Sequence, residues 1–235
     1  MPHRHLPTVL ACVGLCLLAA RAPAQLVAAR TIPLDSTTPL LLHNGRVEWV
    51  EHDGRLALHL VPLAGHEHDT DQELSADLVG VAFTDGIIEV EVSGARREGY
   101  AADDASAFKG FIGVSFRVRG DTAERFYVRP ENAHHESEVF RNRATQYEAS
   151  PDWPWNRLRA EAPGRYESSA EMEAGRWTRL RIEVKGETAR LFVNRATEPA
   201  LVVDRLRNGI RGGGIALWTR ISSDAYFSNL RVTRR

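Results

Sequence analysis

Residues 175–232 constrain the fold more than any other part of the chain. Leu180, Ile182 and Val184 alternate with Arg179, Arg181 and Glu183. Beyond Lys185-Gly186, Leu191 and Val193 alternate with Arg190 and Asn194. A period of two buries one strand face and solvates the other, and a glycine between two such runs closes a hairpin. ALVVDRL, GGIALWTRI and DAYFSNLRV follow at similar spacing, each beginning near Gly, Pro, Asp or Asn. No helical pattern separates them. Such a series predicts an all-β chain folded as an antiparallel two-sheet sandwich. In the last segment Phe227 and Leu230 are out of phase, so both reach a core only if the strand bulges near Ser228-Asn229.

The same patterning recurs upstream. VEWVEH and RLALHLVP pair across Asp53-Gly54, with Leu56, Leu58 and Leu60 on one face. ADLVGVAF and GIIEVEV are expected to resume the sheet across Thr84-Asp85-Gly86. KGFIGVSFRVRG and ERFYVRPE make another pair, with Ile112, Val114, Phe116 and Val118 pointing one way and Ser115 and Arg117 the other. Phe126 and Val128 oppose Tyr127 and Arg129, and Pro130 ends that strand because it cannot donate to a ladder. Residues 25–39 read as an irregular lead-in and 40–235 as the sandwich domain. Within it, 131–174 is the longest irregular region, and long loops on a β scaffold are where function concentrates.

Residues 1–24 read as a secretory signal peptide. His3, Arg4 and His5 precede an apolar run over 6–20, and Ala22-Pro23-Ala24 offers small residues for cleavage before Gln25. The run is short for a membrane span. The expected product is therefore secreted or periplasmic, with no membrane partner after cleavage; an uncleaved anchor is the alternative. Both cysteines, Cys12 and Cys16, lie in this leader. The mature chain then has no disulfide, thiolate zinc site or cysteine nucleophile. Losing Arg4 and Arg21 leaves 28 basic against 31 acidic residues and moves the formal charge from −1 to −3. The arginines are scattered through strands without a basic block, which gives nucleic-acid binding no electrostatic support.

Trp177 opening a strand, the hairpin after it, Gly212-Gly213-Gly214 before another strand and the closing AYFSNLRV resemble the end of a concanavalin A-like or laminin-G-like jelly roll. From about residue 40 to residue 232 the chain more narrowly resembles bacterial secreted domains grouped with the 3-keto-disaccharide hydrolase family. The pattern Phe126-Tyr127-Val128-Arg129-Pro130, then Gln146-Tyr147, then Trp155 carries that likeness. The resemblance implies a jelly roll with a carbohydrate ligand, and a hydrolase or lyase acting on 3-keto-disaccharides. The architecture also serves lectins and inert spacers. An exported glycan-binding module and a structural interaction module therefore stay open beside the enzyme.

Sugars are held by flat aromatic faces and planar hydrogen-bonding groups; a guanidinium matches two neighbouring oxygens. Arg117, Tyr127, Arg129, Asn132, Gln146, Tyr147 and Trp155 are the candidate binding set, expected together on a concave face with the 131–160 loop. The alternative is that Arg129 braces a loop while Tyr147 and Trp155 cap the core. The enzyme reading adds His134 and Glu131 as acid–base candidates. Glu89 and Glu91 share a strand face, as in jelly-roll glycosidases, but the Glu-x-Asp-x-x-Glu pattern of those enzymes is missing, which leaves a solvated charged face as the other reading. In the loop 65–73, Asp69 and Asp71 offer oxygens that suit calcium; a plain acidic loop is the alternative. Calcium is the one cofactor these residues suggest, and none is required; the sequence shows no Gly-x-Ser-x-Gly nucleophile elbow, phosphate loop or dinucleotide fingerprint.

Overall fold

The computed structural model describes residue 1 and residues 28–67, 72–100 and 109–235. The leader beyond Met1, and His68, Asp69, Thr70 and Asp71, lie outside the described residues. The chain enters through β1 (Arg30–Ile32), β2 (Leu40–His43), β3 (Gly45–His52) and β4 (Arg55–Pro62). It continues through β5 (Glu73–Leu78), β6 (Gly86–Arg96), β7 (Ile112–Arg119) and β8 (Thr122–Val128). Helices α1 (Pro130–Ala133) and α2 (Glu138–Arg141), strand β9 (Thr145–Ser150), helix α3 (Trp155–Glu161) and β10 (Glu167–Ser168) follow. The last strands are β11 (Thr178–Lys185), β12 (Thr188–Val193), β13 (Leu201–Val203), β14 (Gly214–Arg220) and β15 (Ser223–Arg234).

The strands form two antiparallel sheets. One runs β13-β12-β11-β6-β15-β4-β3, with β1 on β15; the other runs β10-β9-β8-β7-β14-β5-β2. Their facing sides bury one continuous apolar core that includes Leu58, Leu60, Ile88, Val90, Val114, Phe126, Leu180, Leu217 and Phe227. Each fully buried side chain of this size contributes about 1.5–3 kcal/mol of transfer free energy. Asp53 and Gly54 both adopt positive φ (45° and 74°), the backbone of the two-residue turn whose twist suits a hairpin.

The last strand bulges where its apolar phase slips. The β15–β6 register shifts between Ser228 and Arg231, and Asn229 has φ 53°. Phe227 and Leu230 are both fully buried as a result. The bulge also marks a change of neighbour: Ala225–Phe227 pair with β4, whereas Leu230–Val232 pair with β1.

Several local expectations need correction. ADLVGVAF and GIIEVEV do not form a hairpin, because β5 and β6 lie in opposite sheets. The stretch 131–174 is not irregular throughout; it holds three short helices and the strands β9 and β10, so Gln146 and Tyr147 sit on a ladder rather than a loop. Arg30–Ile32 within the lead-in adds a strand to the first sheet. Leu56 is largely exposed although Leu58 and Leu60, on the same face, are buried. Among the described residues, no helix is long and apolar enough to cross a membrane.

Candidate functional site

Alternation in the second sheet sends one set of side chains away from the core. In β8, Phe126 and Val128 join the core, while Arg125 and Tyr127 point outward. In β14, Ile215 and Leu217 point in and Trp218 points out. Phe111, Tyr127 and Trp218 thus form a second apolar cluster, separate from the core. Directly across the ladder the outward row reads Gln146, Tyr127, Gly113, Trp218, Ser75. Strands β8 and β14 are separated by β7, which puts their backbones about 9–10 Å apart. Their rings nevertheless approach to 4.9 Å between centroids, because Gly113 has no side chain to stand between them.

Over this floor lies a cavity of about 320 Å³. Phe111, Tyr127 and Trp218 line it from the sheet, and Phe140 of α2 and Trp155 of α3 from the covering segments. Asn132 of α1, Arg129, Arg143, Arg159, Arg220 and Lys109 supply its polar edge, with Glu73 and Glu148. The short helices of the 130–161 region therefore build the wall opposite the sheet.

Two hydrogen-bonded groups organise the polar part. Arg125 donates through Nη1 to Glu73 Oε2 (3.0 Å) and Glu148 Oε1 (2.5 Å), and through Nε to Ser115 Oγ (2.9 Å). Trp218 Nε1 donates to the same Glu73 oxygen at 2.8 Å, and the Arg125 guanidinium lies 4.2 Å from the Trp218 ring. Burial pushes the Glu148 carboxyl above the ordinary carboxylate range, opposed by the charge of Arg125. Second, Arg129 donates to Arg143 O (2.8 Å), Tyr127 Oη (3.0 Å) and Gln146 Oε1 (3.1 Å). Burial lowers the Arg129 pKa and raises that of the Tyr127 hydroxyl. Gln146 is held in turn by the Tyr147 and Tyr166 carbonyls.

Of the binding residues expected from sequence, Tyr127, Arg129, Asn132 and Trp155 line this cavity, and Gln146 supports Arg129 beneath it. Arg117 does not. An extra residue shifts the register of β7 between Phe116 and Arg119, Arg117 takes φ 54°, and its side chain is buried elsewhere. There it binds the Thr84, Gly186 and Gly209 carbonyls and Asp85. Tyr147 faces the opposite way from Gln146, as neighbours on a strand must. It packs in the core and donates to Glu124. Glu131 accepts from the Arg96 backbone N–H, and His134 is exposed with Glu171 at 3.9 Å. Neither lines the cavity. Glu89 pairs with Arg179 and Glu91 with Arg55, which makes them members of a charged outer face on the other sheet. Among the described residues, no group of three or more His, Cys, Asp or Glu side chains is placed to hold a metal; Asp69 and Asp71 lie outside them.

Phe111, Arg125, Glu148, Trp218 and Arg220 escaped the sequence reading, and Glu73, expected at the end of the 65–73 loop, instead opens β5. One signal was present: Trp218 sits on the polar phase of an otherwise apolar strand, where a large ring needs a partner or a ligand.

No protein-family model and no curated protein matches the chain. Solved structures do. A Bacillus subtilis protein of unknown function with a galectin-like fold superposes with a TM-score of 0.56 at 12% identity, over 90% of this chain and 98% of that one. Carbohydrate binding module CBM66 from Bacillus subtilis gives 0.49 at 11% identity, over 83% of this chain and 99% of that one. The Ca2+/Man-bound form of the VIP36 exoplasmic/lumenal domain gives 0.49 at 11% identity, over 82% of each chain. The first of these likenesses identifies the architecture as a galectin-like jelly-roll sandwich; at such identity it speaks of fold alone.

Proposed function

We propose that this chain is an exported carbohydrate-binding domain whose sugar site is the cavity on the outer face of the β10–β2 sheet. One observation carries the reading: aromatic rings from Tyr127, Trp155 and Trp218 share a single cavity with guanidinium and amide groups. Rings cover the apolar faces of a sugar, and planar donors reach its hydroxyls. The galectin-like jelly-roll architecture agrees with this reading. Trp155 is the ring to remove, because it is half-exposed on α3 and outside the core. Trp155→Ala should weaken oligosaccharide binding about tenfold or more at unchanged melting temperature, read by titration calorimetry. Equal affinity in the variant sinks this site. Export follows from the signal-peptide reading of residues 1–24. Calcium would be held through Asp69 and Asp71, and a chelator that leaves both binding and melting temperature unchanged removes that metal.

A second reading, hydrolysis of 3-keto-disaccharides or related glycosides, has one observation in its favour. Arg125 Nη1 binds an oxygen of both Glu73 and Glu148, which brings two carboxylates together inside the cavity. Glu148, whose pKa burial raises, suits the general acid, and the more exposed Glu73 the nucleophile. A sensitive assay with 3-keto-disaccharides, with and without divalent cations, that finds no turnover leaves the binding reading alone.

A further inference from the structure

Three arginines of the second sheet and its margins are almost wholly buried, and two of them have carboxylate partners. Arg117 pairs with Asp85, and Arg125 with Glu73 and Glu148. Arg129 differs. It is 5% exposed, yet its acceptors are a carbonyl, a phenol and an amide, all neutral, and no carboxylate among the described residues lies within ion-pair distance. A buried charge without a counter-ion is costly, and proteins ordinarily pair it.

A second guanidinium stands close by. Arg220 lies 5.5 Å from the Phe111 ring centroid, and Arg129 lies 5.6 Å from the same centroid. Among the described residues Arg220 makes no side-chain hydrogen bond or ion pair. Neighbouring charges offset these two only in part: Glu148 acts on both and Glu167 on Arg129, but Glu167 is in contact with Arg143 and Arg159, and Glu73 and Glu148 with Arg125, so five guanidiniums share three carboxylates. The excess is local, since the whole chain has a formal charge of −1. Beside it, the buried Asn132 donates through Nδ2 to Arg143 O but leaves Oδ1 without a donor.

We infer that the cavity takes a sugar bearing an anionic group, a uronate-type carboxylate or a sulfate ester, with the anion against Arg129 and Arg220 beside Phe111. The inference rests on the carbohydrate-binding reading above and narrows it to acidic glycans. A planar carboxylate fits the two-pronged donor of Arg220, while Arg129 has Nε and one Nη1 hydrogen left to give; a sulfate ester supplies the same acceptor geometry with one more oxygen. The ion supplies what the fold leaves out, a carboxylate-like group in direct contact with a desolvated cation.

The test is the full chain on an array carrying neutral, uronic-acid-containing and sulfated oligosaccharides, followed by calorimetry on the best member of each panel with sodium acetate as control. Acidic sugars should bind about ten- to a hundredfold tighter than neutral ones, and the advantage should shrink as salt is raised. Preference for the uronate panel assigns a carboxylate; preference for the sulfated panel assigns a sulfate ester. Arg220→Gln, a partly exposed position outside the core, should abolish the preference at unchanged melting temperature, and it carries the test if Arg129→Gln fails to fold. Equal affinity for neutral and acidic sugars overturns the inference and leaves the sugar site standing. Acetate binding as tightly as the acidic sugar overturns it too, as does an undiminished preference in Arg220→Gln. Binding of no glycan on any panel removes the carbohydrate reading and this inference together.

Discussion

Arg117 shows how one backbone angle redirects a side chain. At φ 54° it leaves the alternation of β7 and places a guanidinium among four acceptors from three loops. Such a φ costs a non-glycine residue of order 1 kcal/mol, and the bonds hold it there. Arg117→Leu should lower stability by about 3–5 kcal/mol in urea unfolding, since it strands buried acceptors, while sugar affinity of the folded fraction stays unchanged. A stability loss below 1 kcal/mol contradicts this bracing role. Glu124 offers a pH test. It is fully buried, accepts from Tyr147 and from the Asn208 backbone N–H (2.8 Å), and burial raises its pKa despite those bonds. A carboxyl whose folded pKa is raised keeps its proton longer when folded. Stability therefore falls as pH climbs from the ordinary carboxylate pKa, about 4, to the raised native value. Denaturation midpoints across that window should fall less steeply in Glu124→Gln than in the parent; parallel slopes refute the assignment.

At the scale of elements, the cavity floor depends on what β7 lacks. A Cβ on Gly113 would lie 2.2 Å from the Phe126 carbonyl oxygen and 2.5 Å from Tyr127 Cβ. Gly113→Ala should cost about 1–3 kcal/mol and also weaken ligand binding, because Tyr127 and Trp218 must separate. Retained affinity in this variant would show that the ring contact plays no part in the site. The hairpins β3–β4, β7–β8 and β11–β12 are local, and alternation plus a turn residue identifies each. The crossings β4 to β5, β5 to β6 and β14 to β15 pass between sheets, and nothing in the residues beside those turns distinguishes them from hairpins.

Across the whole molecule, both sheets share one core, so core and cavity should unfold together. Phe227 lies on the sheet opposite the cavity and is fully buried. Phe227→Ala should cost about 3–5 kcal/mol, with the same denaturant midpoint by tryptophan fluorescence and by far-ultraviolet circular dichroism. Separate midpoints would mean that the cavity sheet holds a core of its own. Period-two alternation determined from sequence alone that the chain is an antiparallel sandwich. It also located most strands, and it required the bulge before Leu230, because side-chain direction along a strand is a local property. The site was only half legible for the same reason. Tyr127, Arg129, Asn132 and Trp155 stand out by type, but Arg125 meets Glu73 across 52 residues and Trp218 meets the same carboxylate across 145. Only tertiary structure decides which strands become neighbours, and with that which charges meet a carboxylate and which, like Arg129, are bonded to neutral acceptors alone.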